Sequence, residues 1–203
     1  MKKRIGSYIL SGIATAFISA SCCNNQEKTV SVDGYSDKEA IANIFERKSV
    51  RSFTAQPVEQ EKIELMVKAG MAAPSAMDRR PWEIVVFDNR EAMDSLAEKL
   101  PYAQMLKEAP MAIVVCGNEE ASGIWYIDCS AVTQNILLAA EALDLGAVWT
   151  GVYPLEDRVE LVKSALSLPD NVIPLALVPV GYPSGENSPK DKYDENKVHY
   201  NKW

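Results

Sequence analysis

The chain has few of the side chains on which metal binding and acid–base catalysis usually depend. Its 203 residues include one histidine and four cysteines, and the histidine, His199, lies in a polar C-terminal tail. Cys116 and Cys129 lie in apolar segments, so we expect two buried free thiols rather than a disulfide. Without a set of histidine and cysteine ligands, no zinc or redox-metal site is expected. A Ser-His-Asp triad would have to use the tail histidine, whose surroundings do not favour it.

The sequence also lacks the glycine-rich loops that bind nucleotides in two common folds. No G-x-G-x-x-G follows a predicted strand, so a Rossmann site is not indicated, and no Walker loop is present. The formal net charge is −7. An acidic chain of this kind is a poor nucleic-acid binder.

The N-terminal residues predict a targeting segment rather than part of the fold. A basic start, Met1–Arg4, precedes the apolar run Ile5–Ala20, and small residues stand before Cys22. This pattern is typical of a secretory signal peptide over residues 1–21. The position of Cys22 favours lipidation there, with plain secretion and an uncleaved anchor as alternatives.

We therefore expect an exported protein, anchored to the membrane as a lipoprotein and facing the periplasm or the cell surface. A polar tether is predicted over residues 22–35 and one folded domain over residues 36–203, a length sufficient for a sizeable core.

Hydrophobic periodicity over the domain predicts an α+β fold with a central sheet. Pro174 and Pro179 interrupt the last strand, which favours an edge position or irregular pairing for it. The fourth helix is apolar on most sides, which predicts a place at the centre of the fold or at an interface, and Gly146 is expected to cap it. Helices are predicted over residues 37–48, 58–73, 89–100, 124–145 and 155–166, and strands over residues 83–88, 112–116, 147–152 and 173–181.

Positive charge is concentrated at two places on this acidic chain. Residues 47–53 read RKSVRSF, which puts three cations and two hydroxyls in the first six positions, and Pro189–Lys192 forms a second cluster. A bound phosphate is the simplest explanation, because arginine presents a planar donor fork and lysine a point charge to phosphate oxygens. Taken alone, each cluster is more typical of a solvated helix end or tail. A phosphate site with few acid–base candidates favours a cofactor that carries the chemistry.

Four segments in the same order resemble the FMN-dependent nitroreductase family. The first is RKSVRSF at residues 47–53, similar to R-x-S-x-R-x-F, and the second is APSAMDRRPW at residues 73–82, similar to A-P-S-x-x-N-x-Q-P-W. The third is LGAVWTG at residues 145–151. The fourth begins with GYP at residue 181 and continues through PKDK to the C-terminal VHYNKW. Each motif is weak alone, whereas four in order resemble the family strongly.

The resemblance implies a nitroreductase-like α+β fold, with a central, mostly antiparallel sheet flanked by helices. It implies a two-fold homodimer with FMN at the interface and a C-terminal tail that extends onto the partner. The implied activity is oxidoreduction by a ping-pong mechanism, in which NAD(P)H passes hydride to flavin N5 and a nitroaromatic or quinone acceptor follows; no side chain is then catalytic. Alternatives are reductive dehalogenation or flavin breakdown on the same fold, and a non-catalytic, membrane-anchored flavin-binding module.

The resemblance also implies which residues bind FMN. Arg47 and Ser49 would hold the phosphate and the ribityl chain, and Lys48 would contribute chiefly through its backbone. Arg51 would stabilise the negative charge of the reduced ring. The other implied ligands are Pro74, Ser75, Ala76, Met77 and Asp78 from the partner subunit, together with Trp149, Thr150, Gly151, Lys190 and Lys192.

The chain departs from the family pattern at two places. Asp78 and Arg80 stand where the family has Asn and Gln; a carboxylate offers no amide donor to the flavin, and Arg80 would offset its charge. The segment between Cys116 and Trp125 is short where larger members carry a helical insertion. We therefore expect a more open pocket, or one closed by another segment. Export would also place the protein where NAD(P)H is scarce, which conflicts with the implied activity.

Overall fold

The computed structural model describes residues 40–203. Helices and strands alternate irregularly along this part of the chain, as predicted. The helices are α1 (Ala40–Glu46), α2 (Gln60–Met71), α3 (Arg90–Lys99), α4 (Trp125–Ala142) and α5 (Glu156–Leu166). The strands are β1 (Trp82–Phe87), β2 (Met111–Asn118), β3 (Gly146–Ala147), β4 (Thr150–Gly151) and β5 (Val172–Gly181). Short 3₁₀ turns occur at Ala76–Asp78, Gln104–Lys107 and Glu195–Lys197.

The strands form one sheet in which every pair of named strands is antiparallel. The order is β1-β2-β5-β3, and β4 pairs with β5 farther along the same side as β3. Val114 of β2 lies opposite Val85 of β1 and Leu177 of β5, which places β2 and β5 at the centre. The predicted α+β fold with a mostly antiparallel central sheet is therefore confirmed.

The predicted edge position of the last strand is wrong, because β5 is paired on both sides. The irregular pairing is present: the register of β2 and β5 shifts between Val115 and Cys116, and Cys116 lies opposite Pro174 at that bulge. Pro179 lies opposite Ala112 of β2, and no residue of β3 or β4 pairs with it on the other side. A proline fits in this central strand because the ladder is interrupted where its missing N–H would otherwise be needed.

Both faces of the sheet are covered by helices. Along β2, Ile113 and Val115 belong to the cluster formed with α2 and α4, whereas Val114 belongs to the cluster formed with α3 and α5. This alternation is the period of two expected of a strand, and it explains why the whole of β2 is apolar. The prediction that α4 lies at the centre of the fold is confirmed, because Val132 and Ile136 are fully buried against the sheet.

Two boundaries differ from the predicted ones. Helix α4 ends at Ala142, and Asp144 has a φ of 59°, so Asp144 rather than Gly146 provides the left-handed residue after the helix. Asp is one of the few residues with a side chain that adopts this conformation readily. The third predicted strand is divided into β3 and β4 by Val148 and Trp149.

The predicted signal peptide, the tether and Cys22 lie outside the residues that the structure describes. Among residues 40–203, no helix combines the length and the hydrophobicity that a membrane crossing requires.

Three polar side chains connect the start of α2 to the ends of α4 and β5. Lys62 Nζ donates to the Leu143 carbonyl and to the Tyr182 hydroxyl, both at 2.9 Å. The Tyr182 hydroxyl in turn donates to Glu59 Oε2 at 2.8 Å. This hydrogen bond holds the pKa of Glu59 below its ordinary value of 4.5. The network therefore stabilises the fold most when Glu59 is ionised.

We expect Tyr182→Phe to lower the melting temperature at pH 7 by about 2 °C, the usual effect of one lost hydrogen bond in a chain of this size. The difference from the wild type should shrink as the pH falls below 4.5, because a group with a lowered pKa loses its contribution on protonation. Calorimetry between pH 3 and pH 8 measures both. Tyr102→Phe is the control, since the exposed Tyr102 hydroxyl has no hydrogen bond within residues 40–203. Equal melting curves for wild type and Tyr182→Phe would contradict this role.

Candidate functional site

The basic segment, residues 47–53, lies between β3 and the chain that follows β5. Ser49 forms an isolated parallel bridge with Ala147 of β3. Farther along, Phe53 forms an antiparallel bridge with Pro183, just beyond β5. Backbone hydrogen bonding at both ends therefore fixes a segment that contains no helix or strand of its own.

Val50 anchors the middle of the basic segment. Its side chain is 1% exposed, and its N–H donates to the Ala147 carbonyl at 3.0 Å. The side chain lies on Gly146, where a Cβ would be 2.6 Å from Val50 Cγ1. Any larger residue at position 146 would displace Val50, because close-packed interiors do not absorb such an overlap. With Val50 buried, the next residue, Arg51, is exposed at the surface.

The three cations of the basic segment differ in whether they are paired with an acidic side chain. Lys48 Nζ forms an ion pair with Glu141 Oε1 of α4 at 2.6 Å, so its side chain is engaged within the subunit. Arg47 is half-buried and Arg51 is exposed, and neither guanidinium forms a hydrogen bond or ion pair within residues 40–203. These two guanidiniums are the charged donors that the segment can offer to an anion.

The second basic cluster, Pro189–Lys192, belongs to no helix or strand. Lys190 and Lys192 are exposed in the segment after β5, and no hydrogen bond or ion pair in the described part of the chain connects them to Arg47. The structure of the single chain thus shows no bond between the two clusters among the described residues, and their joint role stays a prediction.

The turn at residues 75–80 connects α2 to β1 and is held by a buried carboxylate. The Ala76 N–H donates to Asp128 Oδ1 of α4 at 3.1 Å, and the Arg80 N–H donates to Ser75 Oγ at 3.0 Å. Asp128 is 6% exposed, and its second oxygen, Oδ2, has no hydrogen-bond partner among the described residues. A buried unpaired carboxylate oxygen is costly, so this atom marks a place where a donor is required.

Strain is concentrated in the same turn. Met77, Asp78 and Arg80 have φ values of 52°, 54° and 47°, in the left-handed region that side chains other than glycine rarely adopt. Three residues with positive φ within four positions keep this backbone conformation only where surrounding contacts impose it. The hydrogen bonds to Asp128 and Ser75 are two of the contacts that do so.

The two departures from the family pattern are paired with each other. Arg80 Nε donates to Asp78 Oδ1 at 2.7 Å, and Arg80 Nη2 donates to Asp78 Oδ2 at 2.5 Å. This bidentate contact lowers the pKa of Asp78 below its ordinary value. The sequence-based expectation that Arg80 offsets the charge of Asp78 thus agrees with the geometry.

The segment after β3 exposes an aromatic ring and then turns inward. Trp149 is 37% exposed, whereas Thr150 is buried and pairs with Leu177 of β5. At Gly151 a Cβ would meet no atom within 4 Å, so the space beside this backbone is open. The Gly151 carbonyl accepts a hydrogen bond from Arg158 Nη1 at 3.0 Å, which fixes its orientation.

The prediction of two buried, unpaired cysteines is confirmed for Cys116 and Cys129. Cys116 and Cys129 are buried free thiols, and Cys129 donates to the Cys116 carbonyl. Burial raises the pKa of both thiols to about 12, so neither is a nucleophile at neutral pH. Residues 40–203 contain no group of His, Cys, Asp and Glu side chains arranged to hold a metal ion.

Comparison with known proteins supports the resemblance found in the sequence. The family model described as "Nitroreductase family" matches residues 44–101 and 95–182. The chain belongs to the nitroreductase family.

This chain matches several similar proteins over nearly their whole length. One is a Bacteroides thetaiotaomicron crystal structure, provisionally named NADH dehydrogenase/NAD(P)H nitroreductase, which is 57% identical in sequence and has a TM-score of 0.80. The match covers 81% of this chain and 98% of the Bacteroides chain. A Methanothermobacter thermautotrophicus relative with the same provisional name is 45% identical over 179 residues, which are 86% of this chain and 94% of the relative. An FMN-dependent nitroreductase structure from Clostridium difficile is 28% identical, with a TM-score of 0.76, and covers 80% of this chain and 99% of its own.

The predicted export as a membrane-anchored lipoprotein is wrong. The Methanothermobacter relative is matched over 94% of its length by 86% of this chain, and the Bacteroides structure over 98% of its length by 81%. Both are relatives of archaeal or bacterial origin whose names describe nitroreductases and not exported lipoproteins. The prediction depended on the composition of the first residues alone, and a basic start with an apolar run is not specific to exported proteins.

The sequence did not single out two residues that the structure makes prominent. Asp128 is the one acidic residue in the first turn of α4, a largely apolar helix, and that placement was the available signal. Tyr153 follows β4 and is joined to Pro154 by a cis peptide bond. In the sequence, a tyrosine before a proline was the available signal, and it does not determine the cis form.

We expect Asp128→Ala to loosen the turn at residues 75–80, because the Ala76 N–H loses its acceptor. Trypsin should then cleave the Arg79–Arg80 bond about tenfold faster than in the wild type, as a hydrogen bond to a charged group contributes roughly 1.5 kcal/mol. Timed proteolysis followed by mass spectrometry measures the rate.

The control is Ser130→Ala on the same helix, since Ser130 Oγ donates only to the Tyr126 carbonyl within α4. Its cleavage rate should equal that of the wild type. An unchanged rate in Asp128→Ala would exclude Asp128 as the residue that holds the turn.

Proposed function

We propose that this protein is an FMN-dependent oxidoreductase that takes electrons from NAD(P)H and passes them to a small nitroaromatic or quinone acceptor. Family membership supports the first part, because relatives are named FMN reductase and NADPH-flavin oxidoreductase. At that level the prediction from sequence is confirmed. The kind of acceptor and the residues that bind the cofactor belong to the proposal.

The basic segment is the observation that carries the cofactor assignment. It presents Arg47 and Arg51 without hydrogen-bond or ion-pair partners among residues 40–203, on a chain whose net charge is −7. Its backbone is fixed by β3 and by the chain after β5, so the donors are positioned before a ligand arrives. Preorganised charged donors bind an anion at a lower entropic cost than mobile ones.

The donor set fits FMN rather than a metal or a free nucleotide base. Arg47 and Ser49 would bind the phosphate and the ribityl hydroxyls, and the backbone of Lys48 would add an N–H, since its side chain is already paired with Glu141. Arg51 would stabilise the negative charge of the reduced ring. Hydride transfer from NAD(P)H and return of two electrons to the acceptor are the chemistry that FMN supplies when bound.

Four further groups complete the proposed cofactor site. The backbone around Thr150 and Gly151 is open on one side, and Trp149 is exposed beside it. Lys190 and Lys192 would add charge to the phosphate after the tail moves toward it. The turn Pro74–Asp78 would serve the cofactor of the second subunit.

A homodimer is part of the proposal. Large apolar side chains are exposed on the short helix α1, where Ile41 and Phe45 are 65% and 74% exposed, and at the C-terminus, where Trp203 is 99% exposed. Isolated exposed apolar residues need no explanation, but a group at both chain ends of one domain favours a covered surface. A second copy, with its tail on the first, would cover both groups.

Anaerobic titration tests the function directly. Protein reconstituted with FMN should lose the visible absorption of oxidised flavin on addition of NADH or NADPH, and a nitroaromatic or quinone should restore it. The expected stoichiometry is one FMN per chain in a dimer, measured by sedimentation. Absence of bound flavin, or flavin that neither nicotinamide reduces, would contradict the proposal.

Arg47→Ala should weaken FMN binding by roughly tenfold to a hundredfold, because a charge-assisted hydrogen bond contributes about 1.5–3 kcal/mol. Titration of the apoprotein with FMN, followed by quenching of flavin fluorescence, gives the dissociation constant. Lys107→Ala is the charge-matched control, since Lys107 lies in an exposed turn and has no ion pair among the described residues. Equal affinity in Arg47→Ala and the control would remove Arg47 from the site.

A further inference from the structure

A cleft of about 480 Å³ opens beside the start of α4. Its lining consists of Glu119, Glu120 and Gly123 from the loop after β2, Trp125 and Tyr126 from α4, and Tyr153 from the turn after β4. This is the place where the connection between β2 and α4 is short, so the openness expected from the sequence agrees with the structure here.

Three aromatic rings form the wall of the cleft. The Trp125 and Tyr153 rings are 4.9 Å apart between centroids, and the Tyr126 and Tyr153 rings are stacked at 5.8 Å with an interplanar angle of 27°. Trp125 is 5% exposed and lies on Gly117, where any Cβ would overlap its ring. Tyr126 and Tyr153 are 38% and 37% exposed. A fixed tryptophan therefore supports two stacked tyrosines, each of which stays more than one third exposed.

The rim of the cleft is acidic. Within residues 40–203 the Glu119 carboxylate has no hydrogen bond or ion pair, and Glu120 Oε2 accepts from Asn171 Nδ2 at 3.1 Å. The cation that approaches this loop is Arg79, which donates to the Ala121 carbonyl at 3.4 Å. Two carboxylates against one guanidinium leave the rim negative. Aromatic faces with nearby carboxylates favour a planar cation and disfavour an anion.

The cleft adjoins two segments of the proposed cofactor site. Tyr153 stands two residues after Gly151, and Asp128, which holds the turn at residues 75–80, lies one helical turn after Trp125. A ligand in the cleft is therefore close in the fold to the groups assigned to FMN.

We propose that this aromatic, acid-rimmed cleft is the binding site for the electron acceptor, and that it selects planar aromatic compounds that are cationic or neutral over anionic ones. The identification of the ligand as an acceptor rests on the proposed function. The charge preference in binding does not, because it follows from the rings and carboxylates of the cleft alone.

A matched ligand series tests the charge preference. The probes are (4-nitrobenzyl)trimethylammonium, 4-nitrobenzyl alcohol and 4-nitrophenylacetate, which share a nitrobenzyl ring and differ in charge. Calorimetric titration of the oxidised, FMN-loaded protein at low ionic strength should give a dissociation constant about tenfold lower for the cation than for the anion. The ratio should shrink as salt is added, because the rim is exposed.

Substitutions in and outside the cleft test whether its residues cause the charge preference. Glu119→Gln should reduce the cation-to-anion preference to about threefold, whereas Glu98→Gln on α3 changes the net charge equally and should leave the preference unchanged. Tyr153→Leu should weaken binding of all three probes several-fold while keeping their order. Equal affinities across the series, or an unchanged preference in Glu119→Gln, would overturn the assignment of the cleft.

The two proposals fail in distinguishable ways. If the cation binds in the cleft with the stated preference but no acceptor is reduced with NAD(P)H, the proposed function fails and only the charge preference of the cleft stands. If reduction proceeds but the Michaelis constants for the three probes are equal in wild type and Glu119→Gln, the function stands and the cleft assignment fails.

Discussion

The contact between Val50 and the bare backbone of Gly146 is the constraint on which the proposed site depends. The basic segment has no secondary structure of its own, so its position comes from this buried side chain and from the backbone hydrogen bond to Ala147. Gly146 also begins β3 and pairs with Gly181 of β5, so the contact ties the segment to the central strand of the sheet. The same packing that stabilises the domain thus holds two guanidiniums where a phosphate could meet them.

The interruption between β3 and β4 has a structural cause and a consequence for the site. Pro179 in β5 offers no N–H, and no residue of β3 or β4 pairs with it. The two short strands are separated at Val148 and Trp149, which leaves the Trp149 ring at the surface. A continuous strand would have paired this stretch in the sheet. The proline that suggested an edge strand in the sequence is therefore part of what exposes Trp149 at the proposed cofactor site.

Periodicity predicted the helices and the strands to within a few residues, because both faces of the sheet are covered and most elements have a regular pattern of buried positions. Strand order and the central position of β5 depend on pairing partners distant in sequence, which no local pattern contains. Asp128 was missed for a related reason: an acidic residue in a helix is ordinary until the fold buries it. The export prediction used composition without a folded context, and the conflict that it created with NAD(P)H supply was a sign against it.

The distribution of charge gives each part of the proposed site a separate task. The chain is acidic, yet Arg47 and Arg51 beside β3 have no ion-pair partner in the described part of the chain, while Glu119 and Glu120 stand at the rim of the aromatic cleft. A phosphate-bearing cofactor is attracted to the first region and repelled by the second, so the cleft stays accessible to a different ligand. The thiols are buried and the one histidine lies in the tail, away from these segments of the sequence. In the proposed site the protein would contribute binding, orientation and charge, and FMN would carry the electrons.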